Sequence, residues 1–114
     1  RGDAGGGSTA FGLELHPTVL KVYYLQALAQ AQEVTIVRAV RLGHSSSLVS
    51  ELCHDTKDKY AEAHAMLKTV HSDLVAQRLG RFELYLRYKT SMLAALELVF
   101  LGVHLARAAQ PKQP

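Results

Sequence analysis

Apolar residues recur every three or four positions along most of the chain, the spacing of one face of an α-helix. The pattern predicts a first helix over roughly residues 17 to 42. It starts at Pro17, where a missing N–H costs nothing, and Gly43 is suited to ending it. Ser45, Ser46 and Ser47 are candidate N-caps of a second helix, whose apolar spacing continues to Val70.

A third periodic segment follows a short polar break around His71 to Asp73 and predicts a long helix with weak points at Gly80 and Gly102. No strand-like alternation occurs, and the predicted turns are too short for anything but antiparallel neighbours. The sequence therefore predicts an all-α fold, an antiparallel up-down-up array of three long helices.

Two details concern packing. Ala27 and Ala31 share one face of the first helix, so we expect a neighbouring helix to approach closely there. The most apolar run, from Met92 to Ala106, is too short to span a bilayer and contains Glu97 and His104, so we interpret it as a buried core helix. These two polar residues are two turns apart, and a hydrogen-bonded structural role is favoured over a polar site.

The 114 residues suit one domain or a piece of a larger one. Residues 1–12 are predicted to be a flexible Gly/Ser-rich segment, 13–108 the helical part, and 109–114 a disordered tail. Because the chain starts with Arg1 rather than Met, we expect it to lie inside a longer protein. No signal peptide or prenylation motif is visible, and we predict no direct membrane anchor in the chain.

Charge is unevenly distributed around a net value of +3. Residues 76–114 are basic and residues 45–75 are mostly acidic, so the two segments are predicted to complement each other. Basic and aromatic residues of the third helix could face nucleic acid, but their charge density is too low and we predict no nucleic-acid partner. The single cysteine excludes an intrachain disulfide and favours a reducing, intracellular setting.

His54, Asp58 and Cys53 form the most suggestive local group for chemistry. Their side chains cannot all converge on a helix, and no recognised metal-binding spacing accompanies them. A nucleophilic Cys53 would need a histidine base and an oxyanion site, which the sequence does not identify. Gly-rich phosphate loops are also absent. We therefore predict no enzymatic activity, catalytic residue, metal or cofactor.

Three stretches resemble a known family. LAQAQEVTIVRAVRLGHSSSLVSEL, DKYAEAHAML and RFELYLRYKTSMLAALELVFLGVHLA occur in the order and with the residue pattern of the central part of a Bro domain, over roughly residues 13 to 108. The resemblance implies a tetratricopeptide-like helical scaffold. It also implies a non-enzymatic adaptor that binds the C-terminal helix of ESCRT-III subunits in a concave groove. The family's earlier and later elements are not among these residues.

The resemblance places the groove contacts on Thr35, Leu48 and Leu52. Leu48 and Leu52 are four residues apart on the second helix, so they would form a ridge for the leucines or methionines of an amphipathic partner helix. Periodicity alone favours the simpler interpretation that both leucines pack on the first helix. Thr35 stands where another family member has a large aromatic residue, which predicts a shallower groove on that side.

Two functional hypotheses follow. The first is an interaction scaffold for an ESCRT-III helix in endosomal sorting or membrane scission, cytoplasmic and recruited to endosomal membranes. The second is a structural helical bundle that self-associates through exposed apolar faces and has no groove function.

Overall fold

The computed structural model describes residues 16–70 and 72–111, which form four helices and no strand. These helices are α1 (Pro17–Arg41), α2 (Ser46–Leu67), α3 (Ser72–Arg78) and α4 (Gly80–Ala108). The prediction of an all-α fold is confirmed. The predicted flexible segment 1–12 and the last three residues of the predicted tail lie outside the described residues.

The first two helices begin and end within a few residues of their predicted limits, and local chemistry explains why. Pro17 is at the start of α1, and the His16 side chain caps it by accepting a hydrogen bond from the Thr18 N–H. The turn after α1 contains Gly43 with φ of 74°, a left-handed conformation that favours glycine. Ser45 then caps α2, its Oγ accepting a 3.1 Å hydrogen bond from the Leu48 N–H.

The third predicted helix is divided in two, so a short helix is present in addition to the three long ones. Helix α3 ends at Arg78, Leu79 leaves the helical conformation, and α4 begins at Gly80. Leu79 is buried at this bend, which anchors it in the core. The predicted weak point at Gly80 is therefore confirmed, whereas Gly102 lies within an unbroken helix. His71, in the predicted polar break, lies outside the described residues.

Helix α2 is the centre of the packing, because α1 and α4 both lie against it. Its buried residues are Val49, Cys53, Tyr60, Ala63 and Leu67, with Thr56 and Ser50 among them. Opposite them are α1 residues such as Val22 and Ile36 and α4 residues such as Leu86 and Leu93. The prediction for Ala27 and Ala31 is wrong. Both are exposed, and the alanines buried in α1 are Ala29 and Ala39.

The faces of α1 and α4 that point away from α2 are apolar and exposed. On α1 the exposed large residues include Leu20, Tyr24, Leu28 and Val34. On α4 they are Leu84, Tyr88, Leu98, Val99, Leu101 and Leu105. The interpretation of Met92 to Ala106 as a buried core helix is therefore wrong for its outward side, because only one side of α4 has a neighbour in the described residues.

By length and composition, α4 is the one helix of the described residues that could cross a membrane. Only 6% of its most apolar stretch is buried in the structure. However, Glu83, Lys89 and Glu97 on its inward side form short polar contacts with side chains of α1 and α2. Helix α4 is thus joined to its neighbours by polar contacts on one side and is apolar on the other.

Candidate functional site

The three predicted groove residues lie at the junction of α1 and α2. One contact sets the register of these antiparallel helices: the Gln32 side-chain amide donates a 2.6 Å hydrogen bond to the Asp55 carboxylate. Thr35 is one turn after Gln32 on α1, and Leu52 is one turn before Asp55 on α2. Thr35 and Leu52 are therefore at the same level of the helix pair, and Leu48 follows one turn nearer the connecting turn.

The three side chains differ in how much they present to solvent. Leu48 is 39% exposed, although it lies in the first turn of α2. Leu52 is half-buried and packs against the core, so only its edge is accessible. Thr35 is exposed, and its Oγ1 is 3.4 Å from the carbonyl oxygen of Ala31. Leu48 is thus more accessible than Leu52, and Thr35 is a short polar side chain at the level of Leu52.

A polar bridge closes one end of this surface. Lys59 Nζ lies 2.7 Å from an Asp55 carboxylate oxygen, which also accepts the Gln32 hydrogen bond. Hydrogen bonds from Lys59 and then Gln32 lower the pKa of Asp55. The surface around Leu48 and Leu52 is therefore bounded by polar side chains toward the middle of α2.

A polar cluster joins all three long helices on the other side of α2, and the sequence did not predict it. The buried Tyr60 hydroxyl of α2 donates a hydrogen bond to the Glu33 carboxylate of α1, whose other oxygen is 2.8 Å from Lys89 Nζ of α4. Lys89 Nζ also lies 5.8 Å from the ring centre of Tyr85, and Gln30 donates a 2.7 Å hydrogen bond to the Tyr85 hydroxyl. We call these five residues the junction cluster.

Burial and the Glu33 carboxylate raise the pKa of Tyr60 far above its usual range. Tyr60 therefore remains a neutral hydrogen-bond donor. The sequence carries one signal for this cluster: Tyr60 falls on the buried stripe of α2, and a buried tyrosine hydroxyl requires a partner. The partners, on α1 and α4, could not be identified from spacing because they are 27 and 29 residues away in the chain.

Two carboxylates of α4 make further polar contacts with α2. Glu97 lies 3.0 Å from both Lys57 Nζ and His54 Nδ1, and Glu83 lies 2.7 Å from His64 Nε2. Hydrogen bonds from Lys57 and His64 lower the pKa of Glu97 and Glu83, respectively. The favoured structural role of Glu97 agrees with these contacts.

The predicted charge complementarity is wrong in direction. In the polar contacts between α2 and α4, the mostly acidic segment supplies Lys57, His54 and His64. The basic segment supplies the carboxylates Glu97 and Glu83. The reason is that helix faces, rather than the net charges of segments, decide which side chains meet.

The candidate chemical group around His54 forms no convergent site. Asp58 and Glu97 contact different nitrogens of the His54 ring, at 3.3 and 3.0 Å, and so lie on different sides of it. Within residues 16–70 and 72–111, no group of three or more potential ligands could hold a metal ion. Cys53 is fully buried, and burial raises the pKa of its thiol, which disfavours the nucleophilic thiolate.

Comparison with curated proteins gives relatives over much of the chain. The chain is 31% identical over 97 residues to the "BRO1 domain-containing protein BROX homolog" of Caenorhabditis elegans, covering 85% of the chain and 22% of the relative. It is 32% identical over 91 residues to the BRO1 domain-containing protein BROX of Mus musculus, covering 80% of the chain and 21% of that protein. To the protein of the same name from Danio rerio it is 42% identical over 59 residues, or 52% of the chain and 14% of the relative.

The matched region is thus less than a quarter of each of these relatives. No known family model matches the chain, and no solved structure matches it. Three relatives named for the same domain, together with the all-α structure, confirm the resemblance inferred from the sequence. The chain belongs to the Bro domain family and is a fragment of that domain.

Proposed function

We propose that this chain is part of a non-enzymatic adaptor that binds the C-terminal amphipathic helix of an ESCRT-III subunit. The partner would dock at Thr35, Leu48 and Leu52. The observation that carries the proposal is the 39% exposure of Leu48 beside the half-buried Leu52, four residues away on α2. Family membership supports an interaction module of this kind.

In the proposed mode of recognition, the partner's amphipathic helix lies in a groove of this chain. Apolar anchors of the partner, leucine or methionine, would cover Leu48 and the accessible edge of Leu52, and burial of this surface supplies affinity. Thr35 contributes little depth from the α1 side. The Gln32–Asp55–Lys59 bridge limits the apolar contact at one end. We therefore expect the partner's apolar anchors to lie near the turn between α1 and α2.

The test is a calorimetric titration of the chain with a synthetic ESCRT-III C-terminal helix, using the variant Leu48→Asp. Position 48 is in the first turn of α2, which has no acidic residue. A carboxylate there interacts favourably with the partial positive charge at the start of the helix, so the substitution should not destabilise α2. The variant should remain folded by circular dichroism. We expect saturable binding by the parent chain and at least a tenfold loss of affinity, about 1.4 kcal/mol, in the variant.

Leu20→Asp is the matched control. Leu20 is 47% exposed, on the outer face of α1 near its other end, so the same substitution there should leave the partner's affinity unchanged. Equal loss in both variants would point to a general effect of added negative charge. No binding by the folded parent chain would contradict the proposal for this fragment.

The proposed setting is the cytoplasm, with recruitment to endosomal membranes through the partner. The competing candidate is a structural bundle that self-associates and has no groove function. Its support is a separate observation, the exposed apolar faces of α1 and α4. Binding at Leu48 distinguishes the two, because a purely structural bundle would not lose a partner when that side chain changes.

A further inference from the structure

A cavity of about 640 Å³ lies at the bend between α3 and α4. Its lining includes Gln77, Arg78, Gly80, Arg81 and Glu83. Most of these side chains are polar or charged, so the cavity differs from the apolar outer faces of α1 and α4. Its chemistry indicates a charged or polar ligand rather than an apolar one.

Two unpaired guanidinium groups line this cavity. Arg78 is the last residue of α3, and Arg81 is in the first turn of α4. Both are exposed, and neither forms an ion pair or a hydrogen bond with another described residue. An arginine without a carboxylate partner keeps its donors available, and its planar group matches two oxygens of a phosphate at once. The pair therefore favours an anion.

The start of α4 adds backbone donors to the same cavity. Its N-cap is Leu79, and no side chain caps the helix. The first N–H groups of a helix have no partner within it and attract negative charge. Gly80 lines the cavity, and a Cβ atom added to it would have no neighbour within 4 Å, so a ligand has room to approach the backbone there.

One carboxylate in the lining opposes an anion, and a third basic group offsets it. Glu83 lines the cavity, with one oxygen 2.7 Å from His64 Nε2. A smaller hollow of about 130 Å³ shares Ala76 and Glu83 with the cavity and is also lined by Lys68, the C-cap of α2. Together with the two arginines, Lys68 leaves the surroundings of the cavity positive.

Packing of the rest of the domain explains these arginines less well than it explains the exposed leucines. A surface that other helices cover is expected to be apolar, because burying a guanidinium group without a paired carboxylate is costly. Most of a whole protein of this family lies outside the matched region, and its helices have the outer faces of α1 and α4 to cover. The concave, charged surface at the bend points to a ligand instead.

We propose that this cavity binds a phosphate-bearing anion, held by the guanidinium groups of Arg78 and Arg81 and by the first N–H groups of α4. Leu48 lies in the first turn of α2, whereas Lys68 lies at the opposite end of that helix. The cavity is thus separate from the predicted groove, and the inference does not rest on the proposed function. The phosphate can belong to a soluble molecule or to a lipid headgroup.

Two measurements test the site and identify the source of the phosphate. The first is a calorimetric titration of the chain with inorganic pyrophosphate. The second is cosedimentation with phosphatidylcholine vesicles that contain either phosphatidylinositol monophosphate, which presents a phosphomonoester, or phosphatidylserine, which presents negative charge without one. Saturable pyrophosphate binding without a vesicle preference would assign a soluble ligand. Preference for the phosphoinositide vesicles would assign a lipid headgroup, and neither result would overturn the proposal.

A double variant, Arg78→Gln with Arg81→Gln, tests the position of the site. We expect it to bind the successful probe about tenfold more weakly, because both bidentate contacts are lost. The matched control is Arg38→Gln with Arg107→Gln, which removes the same charge from exposed positions on α1 and at the end of α4. It should bind within about twofold of the parent chain. Equal loss in both double variants would mean that net charge alone attracts the probe, and would overturn the proposal.

Two single variants sharpen the geometry. Gly80→Leu places a side chain in the cavity without changing charge, and the open space around this position should leave the fold intact by circular dichroism. We expect a loss of affinity of about tenfold, and retained affinity would overturn the proposed position. Glu83→Gln removes the carboxylate of the lining, so affinity should rise by about threefold. A loss of affinity in that variant, with the fold intact, would contradict an anion in this cavity.

Discussion

The junction cluster and the outer face of α4 have opposite distributions of polar and apolar groups. Lys89, a charged residue, is 16% exposed where the three long helices meet, whereas Leu98, an apolar one, is 66% exposed on the outer face. An isolated domain usually buries its leucines and leaves its lysines in solvent. The difference teaches that polar contacts in the interior join the three long helices, while the apolar outer face of α4 has no neighbour among the described residues.

The residues that surround each region explain its polar or apolar character. At the junction, Glu33 is satisfied by both Tyr60 and Lys89, so the charge is paired and hydrogen-bonded despite its partial burial. On the outer side of α4, no described residue covers the leucines. The matched region is 14% to 22% of the relatives' length, so most of a whole protein of this family lies outside it.

The largest expected effect comes from truncating the same residue type in the two regions. Tyr60→Ala removes a fully buried ring and the hydroxyl that binds Glu33, so we expect a loss of about 4 kcal/mol in the free energy of unfolding. Tyr24→Ala removes a ring that is 58% exposed on the outer face of α1 and should cost less than about 0.5 kcal/mol. Urea denaturation followed by circular dichroism measures both.

Tyr60→Phe is needed because Tyr60→Ala could leave the chain unfolded. The conservative variant keeps the ring and removes only the donor to Glu33, and we expect a loss of about 1.5 kcal/mol. If Tyr24→Ala destabilised the chain as much as Tyr60→Ala does, the contrast between interior and outer face would be wrong.

Breaking the ion pair of the junction cluster is expected to have the next largest effect. Lys89→Met leaves the Glu33 charge with Tyr60 as its remaining partner, and we expect a loss of about 2 kcal/mol. Adding Glu33→Gln should recover part of that loss, since the uncompensated charge is then gone. Lys21→Met, at an exposed position of α1, is the control, and denaturation at neutral pH gives all three values.

Acid should weaken the contact between α2 and α4. The pKa values of Glu83 and Glu97 are lowered in the folded chain, so the unfolded chain binds more protons as the pH falls below about 5. The contribution of both carboxylates is therefore complete above the pKa of an unfolded glutamate and is lost as the pH falls through the lowered values.

Denaturation as a function of pH measures this loss, and the variant Glu97→Gln isolates one carboxylate. We expect the variant to be less stable than the parent chain at pH 7 and to lose less stability between about pH 5 and pH 3. An unchanged dependence on pH would mean that the contacts of Glu97 with Lys57 and His54 contribute little in solution.

The sequence was sufficient for the local structure because local chemistry determines it. Pro17, Gly43 and Ser45 are signals at helix ends, and each predicts an end that the structure contains. The break at Leu79 was harder to predict, because the apolar spacing continues across it and only Gly80 marks the place. Helical periodicity shows which residues share a face but does not show which faces find a neighbour.

The same limit applies to the site. That Leu48 and Leu52 lie on one side of α2 follows from their spacing, but the exposure of Leu48 depends on where α1 ends and the turn begins. The junction cluster depends on contacts between residues more than 20 positions apart, which no local pattern contains. The sequence predicts burial of the outer side of α4 for a related reason: leucines are usually buried, but the sequence does not show which neighbour would cover them.

The smallest predicted effect has the opposite sign and lies on the outer face. Gly102→Ala replaces a glycine inside α4 at a position where a Cβ atom meets nothing within 4 Å. Because alanine has the higher helix propensity, we expect the free energy of unfolding to rise by about 0.7 kcal/mol. Urea denaturation measures this gain, and Leu98→Ala serves as an exposed control with little change. A loss of stability in Gly102→Ala would mean that this part of the outer face is already in contact within a single chain.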